Sequence, residues 1–377
     1  MDPVRVLHIT ETLTAAGIES FIMNLYRHID REKVQFDFLV LRNAKEFYED
    51  EITKLGGKKY WIHSEKNNTL LRILEESKLL EDFLKKHKYD IVHIHYTTPL
   101  RAPYLKACYR AGVSTRIYHS HSAYVSGKSS IKMAIYSYMQ RVIERYGTDF
   151  FACSKVAAEW MYRRSLIESG KTKVIYNGID TDKFAYNEIS RTKIREELGI
   201  SNEDFTIIHT GRFTEQKNQK FVIEVFKEIC KKENNAKLLL LGEGDLMEDV
   251  QQMVREADLS ADVFFLGLRS NVFDYLCAAD VYVMPSLYEG LPVAAVEAQC
   301  SGLPCVVSSN ITEEIKLTEN VEFLSLSEPI SKWAETILRY RNWKRKTEND
   351  GVRRVGYDMS DVAHSMEQFY IKRSKNA

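Results

Sequence analysis

Short runs of apolar, β-branched and aromatic residues recur along the chain, and amphipathic segments separate them. Runs of this length are typical of buried strands, whereas the segments between them have the periodicity of helices. Strands that alternate with helices predict parallel sheets covered by helices on both faces. The predicted strands lie at residues 4–10, 34–40, 58–63, 89–95, 114–121, 149–154, 205–211, 236–242, 263–267, 281–286 and 304–309.

The length of 377 residues is too great for one ordinary core and predicts two domains. The strand rhythm restarts after VIYNGID, so we expect the first domain at residues 1–180 and the second at 181–357. The polar stretch 181–190 is the predicted hinge. The fold class is therefore α/β, with two Rossmann-like, doubly wound domains. Ligands of such sheets bind beyond the carboxyl ends of the strands, so two domains with those ends inward predict a cleft.

Composition and charge exclude several classes of protein. Lys+Arg and Asp+Glu both total 53, so no excess of positive charge indicates a nucleic-acid partner. A hydrophobic content of 44% is typical of a soluble globular protein, and the six cysteines form no CxxC pair and are expected to be reduced. The N-terminal sequence lacks a signal-peptide pattern, and no run of 18 apolar residues occurs. We therefore expect a cytoplasmic protein without a membrane span.

The segment SLYEGLPVAAVEA carries the strongest chemical signal. It follows the predicted strand 281–286, and Pro292 suits the first turn of a helix. Helix N-termini present free N–H groups and favour a phosphate or pyrophosphate. Glu289 and Glu297 would flank such a group, and carboxylates there are suited to accept hydrogen bonds from the hydroxyls of an attached sugar. Gly290 and Leu291 lead into the helix and are the remaining residues of this predicted site for a sugar diphosphate.

A second predicted strand-to-helix loop, GRFTEQKNQ, supplies two cations. The Arg212 guanidinium and the Lys217 ammonium could neutralise a departing diphosphate without a metal. Gly242 and Gly244 lie in a further turn, where the absence of a side chain would let the backbone approach a base or ribose. The glycine spacing does not fit GxGxxG after the first strand, so a nicotinamide cofactor loses its main support and no cofactor is expected.

The N-terminal half offers weaker candidates. Gly17, in TLTAAGIESFI, lies in the first strand-to-helix loop, where backbone N–H groups could face a diphosphate. The pairs His93/His95 and His119/His121 each project to one face of a strand. Four imidazoles raise a zinc alternative, but no carboxylate or thiolate stands at ligand spacing, so we expect no metal site and favour hydrogen bonding to a sugar or phosphate.

The segment at 128–147 predicts an amphipathic helix that carries basic residues beside tyrosines and methionines. It could lie on an anionic membrane surface near a lipid-linked acceptor. An ordinary packed surface helix is the alternative. The basic residues of this segment are Lys128, Lys132, Arg141 and Arg145.

Seven motifs taken together resemble the retaining glycosyltransferases of family four, which have the GT-B fold. The resemblance extends along nearly the whole chain, and its specificity lies in the co-occurrence of the motifs. It implies a donor-binding C-terminal domain, an acceptor-binding N-terminal domain and a last helix, at 358–377, that returns to the first domain. The motifs are, in order, AAGIES, YHSH, CSK, VIYNGID, GRFTEQKN, LLGEGD and SLYEGLPVAAVEA.

The resemblance also implies roles for the candidate residues of the C-terminal domain. Arg212 and Lys217 match the diphosphate contacts of the family. Glu289 matches the acid near the hydroxyls of the donor sugar, and Glu297 matches the acid that holds the ribose. A front-face reaction, in which the leaving phosphate helps to deprotonate the acceptor, would need orientation and charge stabilisation rather than a protein nucleophile.

In the N-terminal domain the match is less complete. Gly17 corresponds to the second glycine of the family's Gly-Gly loop, whereas Ala16 replaces the first. His119 matches the sugar-contacting histidine, with His121 as its rival.

These residues predict a metal-independent, retaining transferase that moves a hexose or N-acetylhexosamine from a nucleotide-sugar. The nucleotide that we expect is UDP. The acceptor would be a cell-surface polysaccharide, such as capsule or exopolysaccharide, or a lipid-linked glycan. Peripheral contact with the inner membrane surface is part of this expectation. A GT-B nucleotide-sugar epimerase and a non-catalytic sugar-nucleotide-binding protein are the alternatives.

Overall fold

The computed structural model describes residues 3–14, 17–42, 45–121, 129–345 and 350–375. The chain divides into two compact units. Unit 1 comprises Met1–Gly178 together with Met359–Ala377, and unit 2 comprises Ile179–Asp358. Each unit contains one sheet in which all paired strands are parallel. The prediction of two parallel sheets interleaved with helices is confirmed.

Within its described residues, unit 1 has seven strands and the helices between them. The strands are β1 (Val4–Ile9), β2 (Val34–Val40), β3 (Lys59–Trp61), β4 (Ile91–Tyr96), β5 (Thr115–Ser120), β6 (Asp149–Ala152) and β7 (Thr172–Val174). The helices in the first stretch of chain are α1 (Gly17–His28), α2 (Glu49–Lys54), α3 (Thr69–Lys86), α4 (Pro103–Arg110), α5 (Ser130–Tyr146), α6 (Lys155–Met161) and α7 (Arg164–Glu168).

Unit 2 has the same plan, with six strands in the part of it that the structure describes. These are β8 (Phe205–Thr210), β9 (Ala236–Leu241), β10 (Val263–Gly267), β11 (Val281–Met284), β12 (Cys305–Ser308) and β13 (Val321–Leu324). Its helices are α8 (Glu188–Leu198), α9 (Gln219–Cys230), α10 (Met247–Glu256), α11 (Val272–Ala278), α12 (Val293–Cys300), α13 (Ile330–Leu338) and the short α14 (Asp350–Val352). The last helix of the chain, α15 (Met359–Ser374), belongs to unit 1.

The order of the strands identifies the position in each sheet at which the strand order reverses. In unit 1 the order is β3-β2-β1-β4-β5-β6-β7, and in unit 2 it is β10-β9-β8-β11-β12-β13. The strand order therefore reverses between β1 and β4 and again between β8 and β11. Doubly wound sheets bind their ligands at such switch points, beyond the carboxyl ends of the two strands.

Two strands were missed by the sequence patterns. Both β7 and β13 lie at sheet edges and are short, with three and four residues. Neither β7 nor most of β13 is deeply buried, so these strands lack the continuous apolar run that identifies a central parallel strand. Only Val174 of the segment 174–180 belongs to a strand.

The returning helix α15 completes the core of unit 1. Met359, Met366 and Tyr370 are buried against apolar side chains from β1, β2 and α1. Glu367 accepts a hydrogen bond from the Asp30 backbone N–H at 3.1 Å. Because burial of apolar side chains contributes about 1.5–3 kcal/mol each, α15 is an integral part of this unit.

Candidate active site

The two loops at the switch point of unit 2 hold most of the predicted donor-binding residues. One loop follows β8 and contains Gly211, Arg212 and Lys217, and the other follows β11 and leads to α12. Since β8 and β11 are neighbours in the sheet, their carboxyl ends bring the two loops together. The side chains of Arg212 and Glu289 lie on these adjacent loops, as the sequence implied.

Hydrogen bonds join the two loops along their length. The Leu287 backbone N–H donates to the Gln216 carbonyl at 2.8 Å, and the Gln216 side-chain amide donates to the Tyr288 carbonyl at 3.0 Å. The Asn218 amide donates to the Pro285 carbonyl at 3.1 Å. Gln216 and Asn218 were missed by sequence reasoning, although both lie within the motif GRFTEQKNQ. They fix the position of the loops on which the candidate charges lie.

Lys217 and Glu289 form an ion pair across these loops. The distance from Lys217 Nζ to Glu289 Oε1 is 2.6 Å, and the two side chains are only 18% and 9% exposed. Arg212, by contrast, is exposed, and its guanidinium makes no hydrogen bond in the described part of the chain. Among the described residues of the site, the Arg212 guanidinium is therefore unpaired, whereas the Lys217 ammonium is already oriented by Glu289.

Helix α12 begins immediately after this ion pair. Pro292 is its N-cap residue and is buried, and Leu291 before it is only 7% exposed. No side chain caps the start of this eight-residue helix among the described residues. Its first N–H groups therefore stay available to an anion, and the helix dipole adds to their attraction.

Glu297 lies within α12 and is partly buried. Burial raises the pKa of its carboxyl to about 7, an effect that the nearby positive charge of Lys183 only partly offsets. Among the described residues no hydrogen bond satisfies this carboxyl group in the ligand-free protein. A ligand hydroxyl would supply the missing donor and would favour the ionised form.

The structure gives Gly242 and Gly244 a role that the sequence did not indicate. A Cβ atom on Gly242 would lie 2.2 Å from the Gly211 carbonyl oxygen, and one on Gly244 would lie 2.4 Å from the Phe213 carbonyl oxygen. The backbone that approaches these glycines is therefore the loop of Arg212. Both glycines are needed to seat that loop, whether or not they also approach a nucleotide.

We expect Gly242→Ala to lower the free energy of unfolding of unit 2 by roughly 2–5 kcal/mol, since backbone strain adds to overpacking. The loop of Arg212 would shift, so affinity for UDP should fall as well. Gly199→Ala is the matched control, because Gly199 also has positive φ but a Cβ there would meet no atom within 4 Å. Chemical denaturation and UDP titration of both variants check this, and equal losses of stability would contradict the steric argument.

In unit 1, Gly17 begins helix α1 and is exposed. A Cβ there would meet no atom of the described residues within 4 Å, so packing against those residues does not require glycine. Ala15 and Ala16 lie outside the described residues. Glu19 is 5% exposed and accepts a hydrogen bond from Thr12 Oγ1 at 2.9 Å, which anchors the loop after β1 to the helix.

Both histidine pairs belong to central strands: His93 and His95 lie within β4, His119 lies near the carboxyl end of β5, and His121 comes just after it. His119 is completely buried, as are His93 and His95, whereas His121 directly follows β5 and is half-buried. Of the two residues considered for sugar contact, His121 is the one with exposed surface. His8, which the sequence analysis did not consider, joins them from β1, with its Nδ1 2.9 Å from His95 Nε2.

The predicted amphipathic helix is α5. Its inward face buries Tyr136 and Ile143, while Ile131 and Tyr138 are 76% and 60% exposed. The exposed basic residues are Arg141 and Arg145, Lys132 is half-buried, and Lys128 lies outside the described residues. Among the residues that the structure describes, none of the helices has the length and apolar character required to span a bilayer.

Two family models match the chain in adjacent blocks. The model described as Glycosyltransferase Family 4 matches residues 15–183, and the model described as Glycosyl transferases group 1 matches residues 190–337. EpsF of Bacillus subtilis (strain 168), a protein assigned to the glycosyltransferases, is 35% identical over 376 residues, which cover 97% of this chain and 96% of EpsF. The chain belongs to glycosyltransferase family 4. The family that the motifs implied is thereby confirmed.

Further comparisons agree with this family 4 assignment. An Escherichia coli enzyme named UDP-Gal:alpha-D-GlcNAc-diphosphoundecaprenol alpha-1,3-galactosyltransferase is 32% identical over 251 residues, or 65% of this chain and 64% of that enzyme. The crystal structure of Anabaena HepE in complex with UDP has a TM-score of 0.76 and 18% identity, and covers 97% of this chain and 99% of HepE. The similarity of fold confirms the GT-B architecture for this family 4 glycosyltransferase.

Proposed function

We propose that this glycosyltransferase moves a hexose or N-acetylhexosamine, with retention of anomeric configuration, from a UDP-sugar to a polysaccharide or lipid-linked glycan. Unit 2 would bind the donor and unit 1 the acceptor. The observation that carries the proposal is the Lys217–Glu289 ion pair beside the uncapped start of α12, at the switch point of unit 2. The complexes of HepE with UDP and with UDP-glucose, and the UDP-Gal donor in the name of the Escherichia coli relative, support the choice of UDP.

The donor contacts follow from the charges in unit 2. Arg212, Lys217 and the first N–H groups of α12 would hold the diphosphate and stabilise the charge that develops on it as it leaves. This assignment requires no metal ion at the diphosphate. Gly290, Leu291 and Pro292 would place the sugar diphosphate at the helix start, and Glu297 would accept hydrogen bonds from the ribose.

Glu289 is assigned to the hydroxyls of the donor sugar rather than to nucleophilic attack. Its carboxylate is already paired with Lys217 at 2.6 Å, which lowers its reactivity toward the anomeric carbon. The leaving phosphate would instead help to deprotonate the acceptor hydroxyl, on the same face of the sugar. Lys217 and Glu289 would then orient the donor for this step.

The acceptor class is inferred from the relatives. Staphylococcus aureus CapH, named a capsular polysaccharide biosynthesis glycosyltransferase, is 25% identical over 380 residues that cover 98% of this chain and 99% of CapH. The Escherichia coli relative acts on a diphosphoundecaprenol-linked sugar according to its name. In this proposal α5 makes peripheral contact with an anionic membrane surface, with Ile131 and Tyr138 toward the lipid beside exposed Arg141 and Arg145.

The test is a thermal-shift screen against UDP-, GDP- and ADP-sugars, followed by transfer with the donor that binds. A ligand present at a hundred times its Kd adds about 2.7 kcal/mol to the free energy of unfolding, so a UDP-sugar should raise the melting temperature clearly and the others little. Transfer of a ¹³C-labelled sugar to lipid-linked acceptors in anionic and neutral vesicles is then followed by NMR of the anomeric carbon. Inversion of configuration, release of an epimerised sugar without transfer, or binding without turnover would each reject the proposal.

A further inference from the structure

Five histidines converge on one face of the unit 1 sheet, and we call them the histidine cluster: His8, His93, His95, His119 and His121. His8 pairs in register with His93 between β1 and β4, and His95 pairs with His119 between β4 and β5. Adjacent strands and the two-residue repeat along each strand therefore bring the rings together. The ring centroids of His93 and His95 are 4.0 Å apart, and those of His119 and His121 are 4.1 Å apart.

The hydrogen bonds within the cluster form two separate chains. In one, His95 contacts His8 through Nε2 and His121 through Nδ1, both at 2.9 Å. In the other, His93 contacts Tyr370 Oη at 2.7 Å through Nδ1 and His119 Nδ1 at 3.2 Å through Nε2. A neutral imidazole has one donor and one acceptor nitrogen, so a chain of such rings leaves its end nitrogens unsatisfied unless another group bonds them, as Tyr370 Oη bonds His93.

Three buried ring nitrogens are in fact left without a partner in the described residues: His8 Nε2, His119 Nε2 and His121 Nδ1. An unsatisfied buried polar atom costs about 1–3 kcal/mol, so three within one cluster are unusual. Neutral imidazole is the form in which histidine binds a metal.

We propose that His95, His119 and His121 bind a divalent transition-metal ion, with Zn²⁺ as the expected occupant. One ring nitrogen from each of these residues lies within 4.8 Å of the other two. Zinc–nitrogen bonds of about 2.0–2.1 Å in a tetrahedron separate ligand nitrogens by roughly 3.3 Å, so small rotations of the side chains would suffice. Imidazole nitrogen is a ligand that Zn²⁺ favours, and three histidines leave a fourth position for water or a ligand oxygen.

The remaining hydrogen bonds suit this choice of ligands. On His119, Nδ1 is engaged by His93, which leaves the unpartnered Nε2 for the ion. On His95, Nε2 is engaged by His8, which leaves Nδ1, only 2.9 Å from His121 Nε2. Histidine ligands of metals characteristically make such a bond through their second nitrogen, because it fixes the orientation of the ring. His119 and His95 have this second bond, whereas Nδ1 of His121 has no partner among the described residues. His8 and His93 would therefore be positioning residues.

The triad of His8, His93 and His95 satisfies the same distance criterion but is the poorer candidate. All three of its residues are completely buried. His121, in contrast, is half-buried and directly follows β5, so the chosen triad has one ligand with exposed surface.

The test uses the full-length protein, stripped of metal with a chelator and titrated with Co²⁺ and then Zn²⁺. We expect one ion per chain, visible Co²⁺ absorption bands typical of tetrahedral nitrogen coordination, and their loss on addition of Zn²⁺. His121→Asn and His119→Asn should weaken binding at least a hundredfold, because each removes a ligand. His364→Asn is the matched control, since His364 is exposed on α15 and should bind the ion as the wild type does.

The loss on His8→Asn should be smaller, about 10–100-fold, because it removes only an outer hydrogen bond. Absence of stoichiometric binding in the wild type, or unchanged affinity in folded His121→Asn, would overturn the proposal. So would a loss confined to His8→Asn, which would place the ion in the other triad. X-ray absorption of the zinc-loaded wild type counts the imidazole ligands without any variant, and a count below three would also reject the site. His119 and His121 are also the two histidines that the family resemblance implies for sugar contact, so an ion at this site would be expected to affect transfer as well. Arg212 and Lys217 belong to the other unit, and UDP binding by the stripped protein therefore tests the donor site of the proposed function separately.

Discussion

Glu289→Gln is expected to lower kcat on the order of 10²–10³-fold while the affinity for UDP changes less than about threefold. The substitution keeps the shape of the side chain but removes the charge that orients Lys217 and the acceptor that the donor hydroxyls would use. UDP itself lacks the sugar, so its binding does not depend on those hydroxyls. Steady-state kinetics with the UDP-sugar and calorimetry with UDP separate the two effects.

Lys217→Met should act differently because its ammonium is assigned to the diphosphate. The loss of a charge-assisted hydrogen bond, about 1.5–3 kcal/mol, would weaken UDP binding roughly 10–100-fold and slow departure of the leaving group. Lys217 and Glu289 are in contact, so the double variant should lose less activity than the product of the single losses. Strict additivity would show that the pair does not act as a unit.

The pair of Lys220 and Asp249 is a matched control for these variants. It is also an ion pair of unit 2, at 2.8 Å, but its side chains are 48% and 56% exposed and lie on α9 and α10. Exposed pairs of this kind contribute about 0–1 kcal/mol to stability. Lys220→Met should therefore leave both kcat and UDP affinity close to those of the wild type. A large loss in this variant would mean that any change of charge in unit 2 disturbs the enzyme.

Donor affinity is expected to fall about tenfold for each pH unit below 7, because in the proposed complex the ionised form of Glu297 accepts hydrogen bonds from the ribose. Burial raises the pKa of this carboxyl to about 7 in the free protein, and the bonds from the ribose would lower it in the complex. Binding therefore releases a proton at acid pH, and each pH unit corresponds to 1.36 kcal/mol. Above pH 7 the carboxyl is already ionised and the affinity should level off.

The measurement is calorimetry with an intact UDP-sugar between pH 5.5 and 8.5, in buffers of different ionisation enthalpy that report proton release. An esterified diphosphate does not titrate in this range, whereas free UDP would. Glu297→Gln should bind more weakly at pH 8 and show a flat pH profile, since its amide cannot ionise. A wild-type profile as flat as that of the variant would exclude Glu297 from the ribose site.

The raised pKa of Glu297 also affects the stability of unit 2. Its effect on the free energy of unfolding changes with pH in the opposite direction to the effect of the buried His209. A carboxyl whose pKa is raised on folding makes the folded state lose stability as pH rises from its ordinary pKa toward 7. The buried His209, with its pKa lowered to about 4, makes the folded state of unit 2 lose stability as pH falls below 6.5. Unliganded unit 2 is thus weakened from both directions, and donor binding would relieve the contribution of Glu297.

The apolar periodicity of the chain predicted every central strand, because a parallel strand covered on both faces must be apolar along its length. It failed at β7 and β13, since an edge strand is partly exposed and can be short and polar. The loops of the proposed donor site were also predictable, because strand, turn and helix signals are local in sequence. Gln216 and Asn218 could not be assigned, since the carbonyl groups that they bond lie about 70 residues away.

The sequence by itself determined the alternation of strands and helices, the family, and the types of residue available to bind a sugar diphosphate. These depend on patterns and motifs formed by residues that are close together in the sequence. Only the tertiary structure decided that Lys217 pairs with Glu289, that Gly242 serves the loop of Arg212, and that His8 joins four other histidines. The physical reason is that strand order and register bring distant residues together, and strand order does not follow chain order in a doubly wound sheet.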